Sequence, residues 1–282
     1  YPVDVPPPPL DRDCEQVRDQ YVKYVADELR ALIVFLEEQT GKKMDYDRLW
    51  EIVNRVQEMN EWARKANELR KTVPCPMGAQ DGFSTFVPAR MMPTSLETLE
   101  FYKGLYYELK ERVDSGIGVA EQEKYRLLWG GGVPPWHSMY ILDYFLSYGA
   151  VFVFETTYSR NLIPFEIPPN ITDPVEAISL RNFEQRTRFN GRPIKGSDTP
   201  VPILPYLDWI KEFKADGMVT HASRSCRAST VGKRFLSQLL QERLPLPFLA
   251  IEGDLADLAA FSKDETKNRI DIFMELMAGQ KM

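Results

Sequence analysis

After Gly118 the sequence changes period, and no other feature constrains the fold as much. Short apolar runs, Tyr125 to Trp129, Ala150 to Phe154, Gly217 to His221 and Pro247 to Ile251, alternate with stretches of helical periodicity. Those stretches run from Trp136 to Ser147, Pro174 to Arg188, Pro202 to Lys214, Thr230 to Arg243 and Asp264 to Met277. Apolar runs this short, bounded by glycine, proline or an acidic residue, read as strands buried on both faces, and the helices between them read as crossovers. The alternation predicts a doubly wound parallel α/β sheet of the Rossmann or flavodoxin-like kind, with its loops gathered at one edge. Asp173-Pro174-Val175-Glu176 and Ser262-Lys263-Asp264-Glu265 carry the cap-then-glutamate spacing of helix starts.

Before Gly118 the period is helical throughout. Val17, Tyr21, Val25, Leu29, Leu32 and Leu36 form one apolar stripe, from Glu15 to Gln39, that stops at Gly41. Leu49, Ile52, Val56, Met59, Ala63, Ala66 and Leu69 form a second, capped by Asp45 or Asp47 and stopped at Pro74-Cys75-Pro76. A third runs through Leu99, Tyr102, Leu105, Leu109 and Val113 behind a capping box of Thr94 and Glu97. This gives an all-helical region at 1–118, with a proline-rich linker at its start, and an α/β domain at 119–282. The helical region shows no convergent set of chemical groups, so its faces read as packing surfaces. Tyr1-Pro2 and the run Pro6 to Pro9 look like a linker joined to something upstream.

Charge and cysteine content narrow the function. Thirty-five basic against 41 acidic residues give a net charge of -6, with the basic residues dispersed, so nucleic acid is not an expected partner. No apolar run is long enough to span a bilayer, and a cytoplasmic location is expected. Cys14, Cys75 and Cys226 are too far apart for a disulfide framework or a local metal motif. There is no GxSxG elbow and no Walker loop.

Ligands of such a sheet bind beyond the carboxyl ends of its strands, which directs attention to three loops. Gly130-Gly131-Gly132-Val133-Pro134-Pro135-Trp136-His137 lacks the spacing of a dinucleotide fingerprint; its glycines serve a tight turn or a ligand's close approach, and Trp136 can anchor its helix. In His221-Ala222-Ser223-Arg224-Ser225-Cys226-Arg227, the cysteine sits between two arginines and ahead of a helix, a setting that favours the thiolate. A small buried hydrophobe is the alternative for Cys226. Glu252-Gly253-Asp254-Leu255-Ala256-Asp257 can orient those arginines or cap a turn. His137 and His221, the two histidines, can each serve as proton donor or as a structural imidazole.

Four segments, LEEQTGKKMDYDRL, EKYRLLWGGGVPPWHS, THASRSCRAST and FLAIEGDLADLAAFSKDETKNRIDIFMELM, resemble in wording and order the D-component subunits of 2-hydroxyacyl-CoA dehydratases and the related subunits of ATP-dependent benzoyl-CoA reductase. The resemblance covers nearly the whole chain. It implies an oxygen-sensitive subunit that holds a [4Fe-4S] cluster beside an acyl-CoA, faces a related second subunit, and receives low-potential electrons from an ATP-hydrolysing iron-sulfur activator. In the dehydratases one electron makes a ketyl radical that expels a hydroxyl group; in the benzoyl-CoA branch the aromatic ring is reduced. The benzoyl-CoA type is the leading expectation, with an (R)-2-hydroxyacyl-CoA dehydratase subunit, a non-catalytic sister-subunit scaffold or a plain nucleotide binder as alternatives.

Carried over residue by residue, the resemblance makes Cys226 a cluster ligand and lets Trp136, His137, His221 and Ser225 line the substrate cleft. The family's other cysteine ligands come from an N-terminal α/β domain ahead of the linker, which Cys14 and Cys75 do not match. One thiolate cannot hold a cubane cluster, so a fragment that is inactive and iron-free by itself is expected.

Overall fold

The structure, a computed structural model, describes residues 2–6, 14–131, 136–159, 162–190, 203–226, 233–244 and 246–280. Its sheet has four parallel strands in the order β2-β1-β3-β4: β1 (Tyr125–Gly130), β2 (Ala150–Glu155), β3 (Gly217–Ser223) and β4 (Phe248–Gly253). The doubly wound expectation holds, and the order reverses direction between β1 and β3, where Gly130 lies opposite Thr220. β1, β2 and β3 are buried because both faces are covered, while the edge strand β4 leaves Glu252 exposed. Leu127, Trp129, Phe152, Val219 and Ile251 face α6 (Tyr140–Ser147) and α10 (Lys263–Gln280) in one core. Leu128, Val151, Val153, Phe154 and Met218 face α8 (Leu204–Phe213) and α9 (Lys233–Arg243) in the other. Trp129 is fully buried, edge-on to Phe83 and Phe152, so the first core is aromatic at its centre.

The helical layer holds α1 (Cys14–Thr40), α2 (Tyr46–Leu69), α3 (Ala79–Thr85), α4 (Val87–Met91) and α5 (Leu96–Asp114). Three details differ from the sequence reading. The short helices α3 and α4 lie between Pro76 and Pro93, a stretch to which the sequence reading assigned no element. Ser95 caps α5 in place of Thr94, its Oγ accepting the Thr98 N–H at 3.1 Å. Leu36 at the end of the α1 stripe is 44 % exposed, while Ile33 is buried in its stead.

The crossover from β2 to β3 supplies α7 (Pro174–Asn190), which packs on α1 and α2 and so belongs to the helical layer as well as to the winding. Asp173 caps it, taking the Val175 N–H at 2.7 Å. Arg126 fastens the layer to the sheet. Its buried guanidinium donates to the carbonyls of Arg70 (2.9 Å), Thr72 (3.0 Å) and Phe213 (2.7 Å) and pairs with Glu123. Buried charge is tolerated there because several acceptors satisfy it at once. Residues 75–83 contribute to both cores, so the region before 118 shares the sheet's interior.

Candidate functional site at the carboxyl edge

β1 and β3 are neighbours at the point where the winding reverses, so the loops that follow them open together at the carboxyl edge. β1 ends at Gly130. A Cβ there would come within 1.8 Å of Met218 Cε, so a larger residue would have to displace the flexible end of that buried side chain. Gly131 has φ +71°, and its N–H donates to Thr156 Oγ1 at 2.7 Å. The described part of this loop is therefore a tight structural turn, and Gly132 to Pro135 lie outside the described residues.

Trp136 opens a 3-10 turn (Trp136–Ser138) ahead of α6, where the sequence had suggested one continuous helix. The Trp136 side chain lies outside what is described. His137 packs edge-on to Phe261, with ring centroids 5.7 Å apart, which joins the loop after β1 to the loop after β4. Its Nε2 is buried and finds no partner among the described residues, and the same is true of Ser138 Oγ and Ser223 Oγ. Desolvated polar atoms without partners are costly, so each of these calls for an acceptor or donor beyond the described residues.

β3 continues two residues beyond its expected end, so His221 lies within the strand and not at its mouth, and it is fully buried. The loop proper begins at Arg224, whose N–H donates to Gly253 O at 2.9 Å and so carries the β3–β4 ladder one step further. Ser225 is exposed and its N–H donates to Asp254 Oδ2 at 2.8 Å. Asp254 also accepts the N–H groups of Ala256 (3.0 Å) and Asp257 (3.2 Å), and hydrogen bonds from Ser225 and these amides hold its carboxyl well below the usual range. Of the two roles open to Asp254, loop cap is the one observed. Asp257 caps a 3-10 turn (Leu258–Ala260) through the Ala259 N–H.

Cys226 is a half-exposed thiol outside any disulfide. Of the arginines beside it, Arg224 lies 3.7 Å from Glu252, and Arg227 lies outside the described residues together with the start of the helix expected from Thr230. A cleft of about 200 Å³ adjoins the loop, lined by Arg224, Glu252, Ser262, Glu265 and Arg269 among others. The loop after β4 therefore binds the other two together, touching His137 through Phe261 and Ser225 through Asp254. His221 lies beneath them as part of the strand.

The cysteines separate clearly. Cys75 is fully buried, its thiol donating to Met77 O at 3.1 Å and pushed up by burial, which describes an inert core residue. Cys14 begins α1. Among the described residues no group of three or more His, Cys, Asp and Glu could hold a metal ion. The residues present therefore do not by themselves fit a [4Fe-4S] cluster, for which Cys226 offers one thiolate.

A second polar assembly, which the sequence reading missed, lies at the carboxyl end of β2. Arg70, Glu155, Tyr158 and Ser159 meet beneath α2 to α5 at a cavity of about 480 Å³. Two sequence signals mark its members singly, though neither says that they meet. Arg70 falls on the apolar stripe of the second helix, one turn beyond Ala63 and Ala66, and Glu155 ends an otherwise apolar strand.

Comparison with known proteins agrees with this architecture. The family model described as "2-hydroxyglutaryl-CoA dehydratase, D-component" matches residues 1–277. A benzoyl-CoA reductase subunit of Thauera aromatica is 25% identical over 276 residues, covering 93% of this chain and 60% of the relative. The (R)-phenyllactyl-CoA dehydratase alpha subunit of Clostridium sporogenes is 24% identical over 268 residues, 94% of this chain and 62% of the relative. For the alpha subunit of (R)-2-hydroxyglutaryl-CoA dehydratase of Acidaminococcus fermentans the figures are 22%, 268 residues, 93% and 52%. The chain thus spans between half and two thirds of the length of these relatives. A family match from one end of the chain nearly to the other, over a parallel sheet whose polar loops open at the winding reversal, places the chain in the 2-hydroxyglutaryl-CoA dehydratase D-component family.

Proposed function

We propose that this chain is part of an iron-sulfur subunit that acts on acyl-CoA thioesters, of the benzoyl-CoA reductase type. The observation that carries the reading is the placement of the Ser225-Cys226 loop at the winding reversal in a chain matched by the family throughout. Cys226 contributes one thiolate to a [4Fe-4S] cluster, and the remaining ligands come from outside the described residues. When bound, the cluster supplies low-potential electrons. The chain's own part is to position the thioester, with Trp136, His137 and Ser225 at the mouth and His221 beneath it. His137 Nε2, Ser138 Oγ and Ser223 Oγ, which lack partners among the described residues, support this part of the reading. A related second subunit and an ATP-hydrolysing activator complete the system.

An (R)-2-hydroxyacyl-CoA dehydratase subunit rests on the same placement, since relatives of both kinds match equally well. Anaerobic iron and sulfide analysis tests the cluster assignment on the chain alone and on the chain joined to the upstream segment of a reductase or dehydratase relative. Iron is expected only in the joined protein, and Cys226→Ala there should lower iron content while leaving the melting temperature unchanged. Stoichiometric iron in the 282 residues alone would overturn the one-thiolate assignment. Iron-free joined protein would make the chain a non-catalytic scaffold.

A further inference from the structure

The cavity at the end of β2 is built differently from a packing gap. Its floor carries Arg70, which is fully buried although charged. Nε of Arg70 donates to Met77 O at 3.1 Å, and Nη1 donates to Asn67 Oδ1 at 2.9 Å and more weakly to Ser159 Oγ at 3.4 Å. Nη2 is left with no hydrogen-bond partner among the described residues. Glu155 lies close by, since a Cβ placed on Gly82 would stand 3.5 Å from Arg70 Nη1 and 3.6 Å from Glu155 Oε1. The two form no direct ion pair. The carboxylate is instead occupied by the N–H groups of Tyr158 (2.9 Å) and Ser159 (3.0 Å) and by Ser159 Oγ. A buried guanidinium with a vacant donor edge costs free energy unless an acceptor meets it.

The walls name the class of that acceptor. Arg90 stands exposed at the rim beside Tyr102 and Tyr158, with no carboxylate partner among the described residues, and Arg186 borders the cavity from α7. Three guanidiniums against one carboxylate make the space electropositive. The rest of the wall is mixed: Met59, Ala63, Leu105 and Leu162 supply an apolar side, and Asn60, Asn182 and Gln185 are among its polar groups. Convergent polar groups beside an apolar patch are how small-molecule sites fix orientation, and about 480 Å³ falls in the size range of such sites. One vacant donor edge at the floor suits a single planar carboxylate better than a phosphate, which needs donors on several sides.

We propose that this cavity binds a small organic carboxylate with an apolar tail, its acid group between Arg70 and Arg90 and its tail against Met59, Ala63 and Leu105. The proposal does not depend on the cluster assignment for Cys226. Calorimetric titration of the chain with hexanoate, hexan-1-ol and inorganic phosphate tests it. Hexanoate should bind saturably and the alcohol should not. Arg90→Ala should weaken hexanoate about tenfold, the scale of one lost charged hydrogen bond. Ala63→Leu, which adds bulk to the wall without touching charge, should abolish binding with the fold retained by circular dichroism. Arg70→Lys is a further arm, but the two rim and wall variants suffice if it fails to fold. No saturable hexanoate binding, or binding indifferent to Arg90→Ala and Ala63→Leu, would overturn the proposal. Phosphate binding as tight as hexanoate would overturn the carboxylate assignment.

Discussion

Two carboxylates end two strands of the same sheet, and each accepts hydrogen bonds from the turn that follows it, yet they are driven in opposite directions. Asp254, after β4, takes the N–H groups of Ser225, Ala256 and Asp257, and its carboxyl is held well below the usual range. Glu155, at the end of β2, takes those of Tyr158 and Ser159 together with the Ser159 hydroxyl, and its carboxyl is pushed up. Hydrogen bonds favour the charged form in both. The difference is which effect is larger: at Glu155, wholly enclosed, desolvation outweighs both its donors and the nearby Arg70, whereas at Asp254, covered but close to the surface, the hydrogen bonds outweigh desolvation. At the β3–β4 edge the polar groups order an open loop. At the β2 end they make a buried charged floor that only a partner of matching charge would complete.

The largest effect should therefore follow from removing Glu155. Glu155→Ala leaves the Tyr158 and Ser159 donors without an acceptor and Arg70 with no carboxylate nearby. A cost of roughly 2–4 kcal/mol is expected in urea denaturation, the scale for leaving buried donors without their acceptor. A loss below about 1 kcal/mol would show that solvent reaches the site and would erase the contrast with Asp254. The pH dependence sharpens the same point. A carboxyl whose value is raised by folding stabilises the protein at low pH, and that contribution fades as pH climbs from the ordinary glutamate value of 4.5 through the raised one. Glu155→Gln should flatten that downward slope.

Asp254 has the opposite sign and a smaller reach. Its contribution is present above the ordinary aspartate value of 3.8 and is lost as pH falls below it, so at neutral pH the loop is fully tied. Asp254→Ala should accelerate amide hydrogen exchange at Ser225, Ala256 and Asp257 several-fold, with little change in amides of the β1 interior. Uniform acceleration across the sheet would show that the loop after β4 supports the fold as well as the mouth.

The same contrast governs what could be read from the sequence. The β3 loop was legible because its chemistry is local: Arg224, Ser225 and Cys226 are consecutive, and a strand before with a helix after fixes where they open. The strands were legible within a residue or two, since runs such as Ala150 to Phe154 are apolar on both faces. The strand expected over Gly217 to His221 continues through Ala222 and Ser223, because Ser223 is polar yet buried and its pairing with β4 persists to Gly253. The β2 end was not legible as a site. Arg70 and Glu155 are brought together only when α2 packs over the strand, and no pattern along the chain encodes that distance. Helices α3 and α4 were hidden by Pro76, Pro88 and Pro93, although Pro88 falls in the first turn of α4, where a missing N–H costs nothing.

The smallest effect belongs to Arg224 and Glu252, which face each other at 3.7 Å with side chains 64% and 61% exposed. Two long side chains held in water gain little from pairing, so a double-mutant cycle of Arg224→Ala and Glu252→Ala should give a coupling below about 0.5 kcal/mol. That weakness bears on function. A guanidinium so lightly held can leave Glu252 for an anionic group arriving at the mouth, whereas Arg70, fixed by Met77, Asn67 and Ser159, cannot move to meet a ligand and must be met in place. A coupling above about 1.5 kcal/mol would mean that the pair is a fixed part of the β3–β4 edge. The two arginine sites would then differ in burial alone and no longer in readiness to exchange partners.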